Sequence, residues 1–234
     1  MAVTTTDIAT YVRDVLEAND EATAAAARAI VRSGHRGGLV RPAGAGHSLA
    51  AVLETFFRAG GLAFVSPLWH PDVLPFAGAR LATDAERRPG LGRRVAEEAG
   101  LGPDDTVVIF SNSGVNPYPV EIAEVARERG AAVVAFTSLR SSEAAPRRSS
   151  ATVASLADVV VDTAVPPGDV SWPPEAPVTS PLSSIANTAL WTTILRKVHD
   201  LDPGLPRWRS ANVEGNDEHN AALMARFEDR VTAL

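Results

Sequence analysis

The sequence predicts a doubly wound α/β fold, in which a five-stranded parallel sheet is flanked by helices on both faces. Short apolar segments alternate with segments of helical spacing, which is the pattern of successive β-α units. Residues 106–110 show no alternation of polar and apolar side chains, as expected of a strand buried on both faces of a parallel sheet. The predicted strands are residues 39–40, 62–65, 106–110, 132–136 and 158–162.

The N-terminal part is predicted to begin with one long helix over residues 7–33. Asp7 is a candidate N-cap, and the apolar residues that follow it fall on one helical face. A Gly-rich turn after the first strand leads into a short apolar helix that continues through Phe57. Residues 66–92 are rich in Pro, Gly and Arg, so we expect them to be irregular.

The C-terminal part is predicted to contain three more helices. One begins near Pro117, since proline is tolerated in the first turn of a helix, and ends at Gly130. The Pro-rich residues 163–181 are predicted to be extended, and residues 183–201 return to helical spacing. A last helix follows near Glu218. We therefore expect a single domain over the whole chain, residues 1–234, with an N-terminal helix and a C-terminal helical tail.

The composition argues against several classes of site. A net charge of −6 argues against nucleic-acid binding, which needs a basic surface. The absence of cysteine excludes disulfides and thiolate metal sites, and no histidine or carboxylate spacing suggests zinc or calcium, so we expect no metal. Residues 1–7 lack the pattern of a signal peptide and no run of about 18 apolar residues occurs, so we expect a cytoplasmic protein without membrane contact.

Three polar loops follow predicted strands, at residues 44–48, 111–116 and 137–142. Parallel sheets of this type bind ligands in the crevice at the carboxyl ends of their strands. The first loop contains Gly46, His47 and Ser48, but it lacks the third glycine of a dinucleotide fingerprint and the lysine of a P-loop. We therefore expect no nucleotide or flavin cofactor. The loop favours an anion at the start of a helix, although a tight turn with a capping serine has the same sequence.

The second loop, Ser111-Asn112-Ser113-Gly114, places two hydroxyls, an amide and backbone N–H groups between a buried strand and a helix. Such a loop can hold a phosphate with neutral donors instead of lysines, or it can be an ordinary polar turn. Thr137-Ser138 and Thr179-Ser180, the latter close to Ser183 and Ser184 as a candidate N-cap cluster, add further hydroxyls.

These segments resemble the sugar isomerase (SIS) domain family, whose phosphosugar loop is typically Ser-x-Ser-Gly. Thr137-Ser138, residues 155–158 and residues 177–180 are similar to further segments of that family, and the resemblance spans roughly residues 8–200. The chain looks closest to the branch that contains phosphoheptose isomerases and uncharacterised sugar isomerase domain proteins. It departs from the family at Asn116, where many members carry threonine.

The resemblance implies a SIS domain of flavodoxin-like architecture that binds a phosphorylated sugar and assembles as a homodimer or homotetramer. It implies no cofactor. The residues expected to contact the sugar phosphate are Gly46, His47, Ser48, Ser111, Asn112, Ser113, Gly114, Asn116, Thr137, Ser138, Thr179 and Ser180.

Aldose–ketose isomerisation through an enediol needs a base beside the reacting carbons and often a second group that opens the ring. Glu54 lies six residues after Ser48, about 9 Å along a helix axis. A glutamate on the corresponding helix is the base in phosphoheptose isomerases. Glu218 and His219 are further candidate catalytic residues, with His47 as an alternative to His219. An exposed helical glutamate and a solvated histidine in an acidic first turn would look the same in sequence.

Three functions and a second type of fold remain open from the sequence. The chain is expected to be a phosphosugar isomerase, a phosphosugar sensor without catalysis, or a lyase or etherase acting on an amino-sugar phosphate. A nucleotide-binding domain of related topology is the structural alternative, which the missing glycine and lysine disfavour.

Overall fold

Four parallel strands form one sheet in the computed structural model, which describes residues 7–234. The strands are β1 (Val40–Gly44), β2 (Thr106–Phe110), β3 (Ala132–Thr137) and β4 (Val159–Asp162), and they lie side by side in that order. All residues of the two central strands except Ala132 are buried, because helices cover both faces. The predicted α/β class with a parallel sheet flanked by helices is confirmed.

The predicted strand at residues 62–65 is wrong, because Val65 forms only an isolated bridge with Val40 of β1 and Leu62 pairs with Arg207 instead. The Val40 amide donates to the Phe64 carbonyl at 2.9 Å, and the Ser66 amide donates to the Val40 carbonyl at 2.9 Å. The next bond of a parallel ladder would need an N–H from Pro42, which proline lacks. The ladder is therefore interrupted, although the segment still runs parallel to β1.

Ten α-helices complete the described part of the chain, together with short 3₁₀ turns. They are α1 (Ile8–Ala18), α2 (Asp20–Arg36), α3 (Leu49–Thr55), α4 (Ala79–Arg87), α5 (Leu91–Glu98), α6 (Pro117–Glu128), α7 (Leu139–Ala144), α8 (Val153–Leu156), α9 (Ser183–Leu201) and α10 (Asp217–Phe227). Helices α1, α2 and α3 pack on α9, whereas α4, α5 and α8 pack on α6.

The long N-terminal helix predicted from sequence is in fact two helices that meet at Asn19. Asp7 does cap α1, because its carboxylate accepts a bond of 2.9 Å from the Thr10 amide. The Asn19 side chain donates to the Asp162 carbonyl at 2.8 Å and accepts from the Asp162 amide at 2.9 Å. The helix breaks here because the Asn19 amide completes the hydrogen bonding at the end of the edge strand β4.

Most other predicted elements match the structure. Helices α6 and α9 begin where predicted, and α10 begins within one residue of the predicted start. The irregular region predicted at residues 66–92 was wrong in part, because it contains α4 and the start of α5. Helix α4 forms because Ala82 and Ala85 bury one face while Arg80, Asp84 and Arg87 are exposed.

The first six residues, which contribute to the expectation of no signal peptide, lie outside the described residues. In the described part, none of the helices combines the length and apolar character needed to cross a membrane.

Candidate functional site

The topology places a crevice between the carboxyl ends of β1 and β2. Residues 62–68 lie on the outer side of β1, so the chain winds first in one direction and then, from β1 to β2, in the other. Ligands of doubly wound sheets bind at such a switch point. The two loops that leave the sheet there are residues 45–48 and 111–116, which are the two main loops selected from the sequence.

The first loop forms a tight 3₁₀ turn at Gly46–Ser48 that leads directly into α3. Gly46 has a positive φ of 58°, a conformation that favours glycine. The Ser48 side chain makes no capping hydrogen bond, and His47 is exposed. Within the described residues, neither side chain has a hydrogen-bond partner, so both can contact a ligand.

The second loop is braced by hydroxyls from its own start and from the neighbouring strand. The Ser111 hydroxyl accepts a bond of 3.2 Å from the Gly114 amide, which closes the turn. The Thr137 hydroxyl donates to the Asn112 carbonyl at 3.1 Å, and the Ser138 amide donates to the same carbonyl at 2.9 Å. Thr137 therefore shapes the loop, while Ser111 keeps its own O–H available as a donor.

The middle of this loop carries polar groups without protein partners. Ser113 makes no hydrogen bond through its backbone or its hydroxyl in the part of the chain that the structure describes. The Asn112 side-chain oxygen is buried and has no partner there either. Buried polar groups are normally hydrogen-bonded, so an unpaired group at a switch point indicates a place for a ligand or ordered water.

Asn116 closes the loop at the start of α6. Its side-chain nitrogen donates to a Glu86 carboxylate oxygen at 2.8 Å, and its side-chain oxygen accepts a bond of 3.1 Å from the Arg148 guanidinium. Neither Glu86 nor Arg148 was selected from the sequence. They lie in α4 and in the loop before α8, and only the folded chain brings them to Asn116.

Ser138, Thr179 and Ser180 occupy structural positions. The buried Ser138 hydroxyl donates to the Val165 carbonyl at 2.7 Å and accepts from the Ser141 amide at 3.2 Å, which caps α7. Thr179 is exposed and pairs through its backbone with Trp172. None of the described contacts joins Thr179 or Ser180 to the crevice loops, and the start of α9 is capped by Asp169 instead of this cluster.

Glu54 lies in a separate cleft of about 470 Å³ between α3 and α9. Its carboxylate pairs with Arg58, and the lining includes Trp191, His199 and Arg207 but no residue of the two crevice loops. The indole N–H of Trp191 is buried and has no partner in the described residues. His199 was not selected from the sequence, and only the packing of α9 on α3 places it in the same cleft as Glu54.

The predicted pair Glu218 and His219 lies at the start of α10, beside this cleft and not at the crevice. The His219 Nε2 atom lies 3.0 Å from the Arg207 carbonyl oxygen, and Glu218 is exposed. Burial lowers the pKa of Arg207, an effect that the nearby Asp202 opposes. Among the contacts of the described residues, His219 is therefore connected to the cleft only through Arg207.

Two further properties describe the chemistry of the crevice region. Burial raises the pKa of the Tyr118 phenol well above its usual range, and its hydroxyl donates to the Leu68 carbonyl at 3.3 Å. Tyr118 is therefore a neutral anchor for α6, not an acid–base group.

Among residues 7–234, no cluster of three or more His, Asp or Glu side chains could hold a metal ion.

Replacing Gly114 tests whether the loop shape matters. Gly114 has φ 61°, and an added Cβ would lie 3.0 Å from the Thr137 hydroxyl oxygen and 3.4 Å from the Val153 Cβ. We expect Gly114→Ala to cost about 1–2 kcal/mol for the left-handed backbone, plus a smaller amount for the contacts. Gly100→Ala is the matched control, because Gly100 has φ 63° with nothing within 4 Å of its added Cβ. Equal losses of unfolding free energy in the two variants would show that the contact with Thr137 costs nothing.

The sheet and its switch point define a doubly wound α/β protein with polar loops at the crevice. A profile of the SIS domain matches residues 5–138. A UPF0309 protein of Brucella canis is 36% identical over 225 residues, which cover 93% of this chain and 90% of that protein. A UPF0309 protein of Listeria innocua is 30% identical over 208 residues, with 84% and 83% covered. The chain therefore belongs to the SIS domain family and, more narrowly, to the UPF0309 proteins.

A solved structure supports the fold independently. The phosphoheptose isomerase GmhA of Neisseria gonorrhoeae superimposes with a TM-score of 0.55, covering 80% of this chain and 90% of that one. Its sequence is 17% identical, so the similarity bears on the fold and not on the reaction.

Proposed function

We propose that this protein binds a phosphorylated sugar in the crevice between β1 and β2, with the phosphate on the Ser111–Gly114 turn. The observation that carries the proposal is the contrast within that turn. Ser111 and Thr137 brace it, whereas the hydroxyl and amide of Ser113 have no partner in the described residues. A fixed loop with free donors at a switch point suits an anionic group.

The similarity to SIS domain proteins supports the sugar part of the proposal. The name of the gonococcal structure describes an enzyme acting on a phosphorylated heptose. A sugar phosphate carries an anion for the turn and hydroxyls for polar side chains such as His47 and Ser48. We further propose that the protein acts in the cytoplasm as a homodimer or homotetramer, as the resemblance implies.

Thermal denaturation with a panel of hexose and heptose phosphates tests this function. A ligand at 100 times its Kd stabilises the native state by about 2.7 kcal/mol, which for a chain of this length raises Tm by about 5–10 °C. The unphosphorylated sugars serve as ligand controls. Ser113→Ala should weaken binding about fivefold to tenfold, as expected for the loss of one hydrogen bond.

Ser150→Ala is the protein control, because Ser150 is exposed and makes no contact in the described residues. Binding that is equally strong for the unphosphorylated sugars, or that is unchanged by Ser113→Ala, would contradict the proposed placement of the phosphate.

A second candidate function is aldose–ketose isomerisation, with Glu54 as the base. The observation that favours it is the shared cleft of Glu54 and His199, a carboxylate and an imidazole that lie within one surface feature. The first crevice loop and this cleft are connected along α3, which begins at the end of that loop. A sensor would bind the same sugar without turnover, and a lyase or etherase would release a substituent from it.

A further inference from the structure

The start of α6 has few backbone donors for an anion. A phosphate at a helix N-terminus is normally held by the free N–H groups of the first turn. Here two of the first three helical residues are Pro117 and Pro119, so only Tyr118 among them carries an N–H. The adjacent Asn116 forms no side-chain cap. A doubly charged phosphate at this position therefore needs donors and positive charge from another part of the chain.

The Asn116 side chain is held in one orientation by its two partners. Only its nitrogen can donate to the Glu86 carboxylate, so its oxygen must face Arg148. Asn116 is 8% exposed, which leaves little room for another arrangement. The two hydrogen bonds of the Asn116 side chain, to Glu86 and to Arg148, therefore hold the Arg148 guanidinium beside Pro117, the first residue of α6.

Most of the binding capacity of Arg148 is unused. A guanidinium carries five N–H donors, and the contact with Asn116 uses one of its nitrogens. No carboxylate of the described residues lies within ion-pair distance of Arg148, and Glu86 reaches it only through Asn116. Its positive charge and its remaining donors are therefore available to a ligand.

We propose that Arg148, held by Asn116, neutralises the phosphate that binds at the Ser111–Gly114 turn. This inference rests on the proposed sugar phosphate site and assigns to it a charged contact that the sequence did not predict. A phosphate monoester carries nearly two negative charges at pH 7, and a planar guanidinium can bind two of its oxygens at once. The site would then distinguish phosphorylated sugars from free sugars mainly through Arg148.

Calorimetric titration of the sugar phosphate with the largest thermal shift, and of inorganic phosphate, tests the assignment. We expect Arg148→Gln to weaken both about 10- to 100-fold, as for the loss of a charged hydrogen bond. Arg147→Gln is the matched control: Arg147 is the preceding residue, is exposed, and makes no contact in the described residues. Arg147→Gln removes one positive charge from the same loop, and we expect the Kd of this variant for both ligands to stay within about twofold of wild type.

Two more variants separate a ligand contact from a structural role. Arg148→Lys keeps the charge but not the planar fork, so its affinity should fall between wild type and Arg148→Gln. Asn116→Ala keeps Arg148 but releases it, and should also weaken binding. Unliganded Tm is measured for each variant, and a loss of affinity at unchanged Tm in Arg148→Gln supports a direct contact.

The outcomes distinguish this inference from the function on which it rests. If wild type binds sugar phosphates and Arg148→Gln binds as tightly as Arg147→Gln, the assignment of Arg148 is overturned and the proposed function stands. If wild type binds neither a sugar phosphate nor inorganic phosphate, the proposed function is overturned and this assignment with it.

Discussion

Gly92→Ala is expected to destabilise the protein by about 3 kcal/mol, which corresponds to a fall in Tm of about 6–12 °C. Gly92 lies in the first turn of α5, and an added Cβ would lie 2.1 Å from the Tyr118 carbonyl oxygen and 2.9 Å from its carbonyl carbon. These are backbone atoms, so no side-chain rotation relieves the clash and α5 must separate from α6.

The same substitution is expected to weaken ligand binding, because Tyr118 lies in the first turn of α6 at the crevice. Moving α6 displaces both its N-terminus and Asn116. The thermal shift caused by the best sugar phosphate should therefore be smaller in Gly92→Ala than in wild type, at equal ligand concentration.

Gly102→Ala is the matched control for this prediction. Gly102 has no atom within 4 Å of an added Cβ and no left-handed backbone. Its replacement should leave stability unchanged or raise it by roughly 0.4–1 kcal/mol, through the smaller entropy of the unfolded chain. A Tm for Gly92→Ala within about 2 °C of the control would show that α5 and α6 do not approach as closely as the structure places them.

The elements that the sequence predicted correctly are those whose signals are local. The strand at residues 106–110 is a run of mostly apolar residues, and α6 begins with prolines, which are tolerated in the first turn of a helix. The errors at Asn19 and Pro42 have a different origin. Asn19 ends a helix because its side-chain amide hydrogen-bonds to the backbone of Asp162, which is 143 residues away in the sequence. Pro42 interrupts a ladder only because it lies where a donor to the neighbouring segment is needed.

The candidate site shows the same division. The polar loops were predicted because they follow buried strands, but the partner of each hydroxyl depends on tertiary contacts. In the sequence, Thr137 and Ser138 are hydroxyl residues after a strand, as Ser113 is. In the structure, however, their hydroxyls donate to backbone carbonyls. Arg148 lies 32 residues after Asn116, so their contact could not be read from local spacing.

If the protein is an isomerase, Glu54→Gln is expected to lower the rate of C2 proton exchange by about 10²- to 10⁴-fold while leaving sugar phosphate binding in place. The base takes the proton from C2, and the enediol regains a proton at C1, so no atom is lost from the sugar. Glu54 lies about 9 Å along the axis of α3 from Ser48, so a sugar whose phosphate is on the Ser111–Gly114 turn must extend past the first crevice loop and along α3 to reach it.

Exchange is measured by NMR in deuterated water, with Glu98→Gln as the control for a glutamate-to-glutamine change. Glu98 is exposed in α5 and makes no contact in the described residues. His199→Gln and His219→Gln then compare the imidazole in the Glu54 cleft with the one bound to the Arg207 carbonyl. We expect the larger loss at His199, since it lines the cleft and has no hydrogen bond to break in the described residues.

Failure of this prediction would still identify the reaction class. If wild type binds a sugar phosphate and shows no exchange, Glu54 is not an isomerase base and the sensor function is favoured. If exchange occurs but mass spectrometry shows a lost substituent, the same base drives an elimination instead. Unchanged exchange in Glu54→Gln would place the base elsewhere, and His47 would be the first residue to replace because it is exposed in the crevice loop.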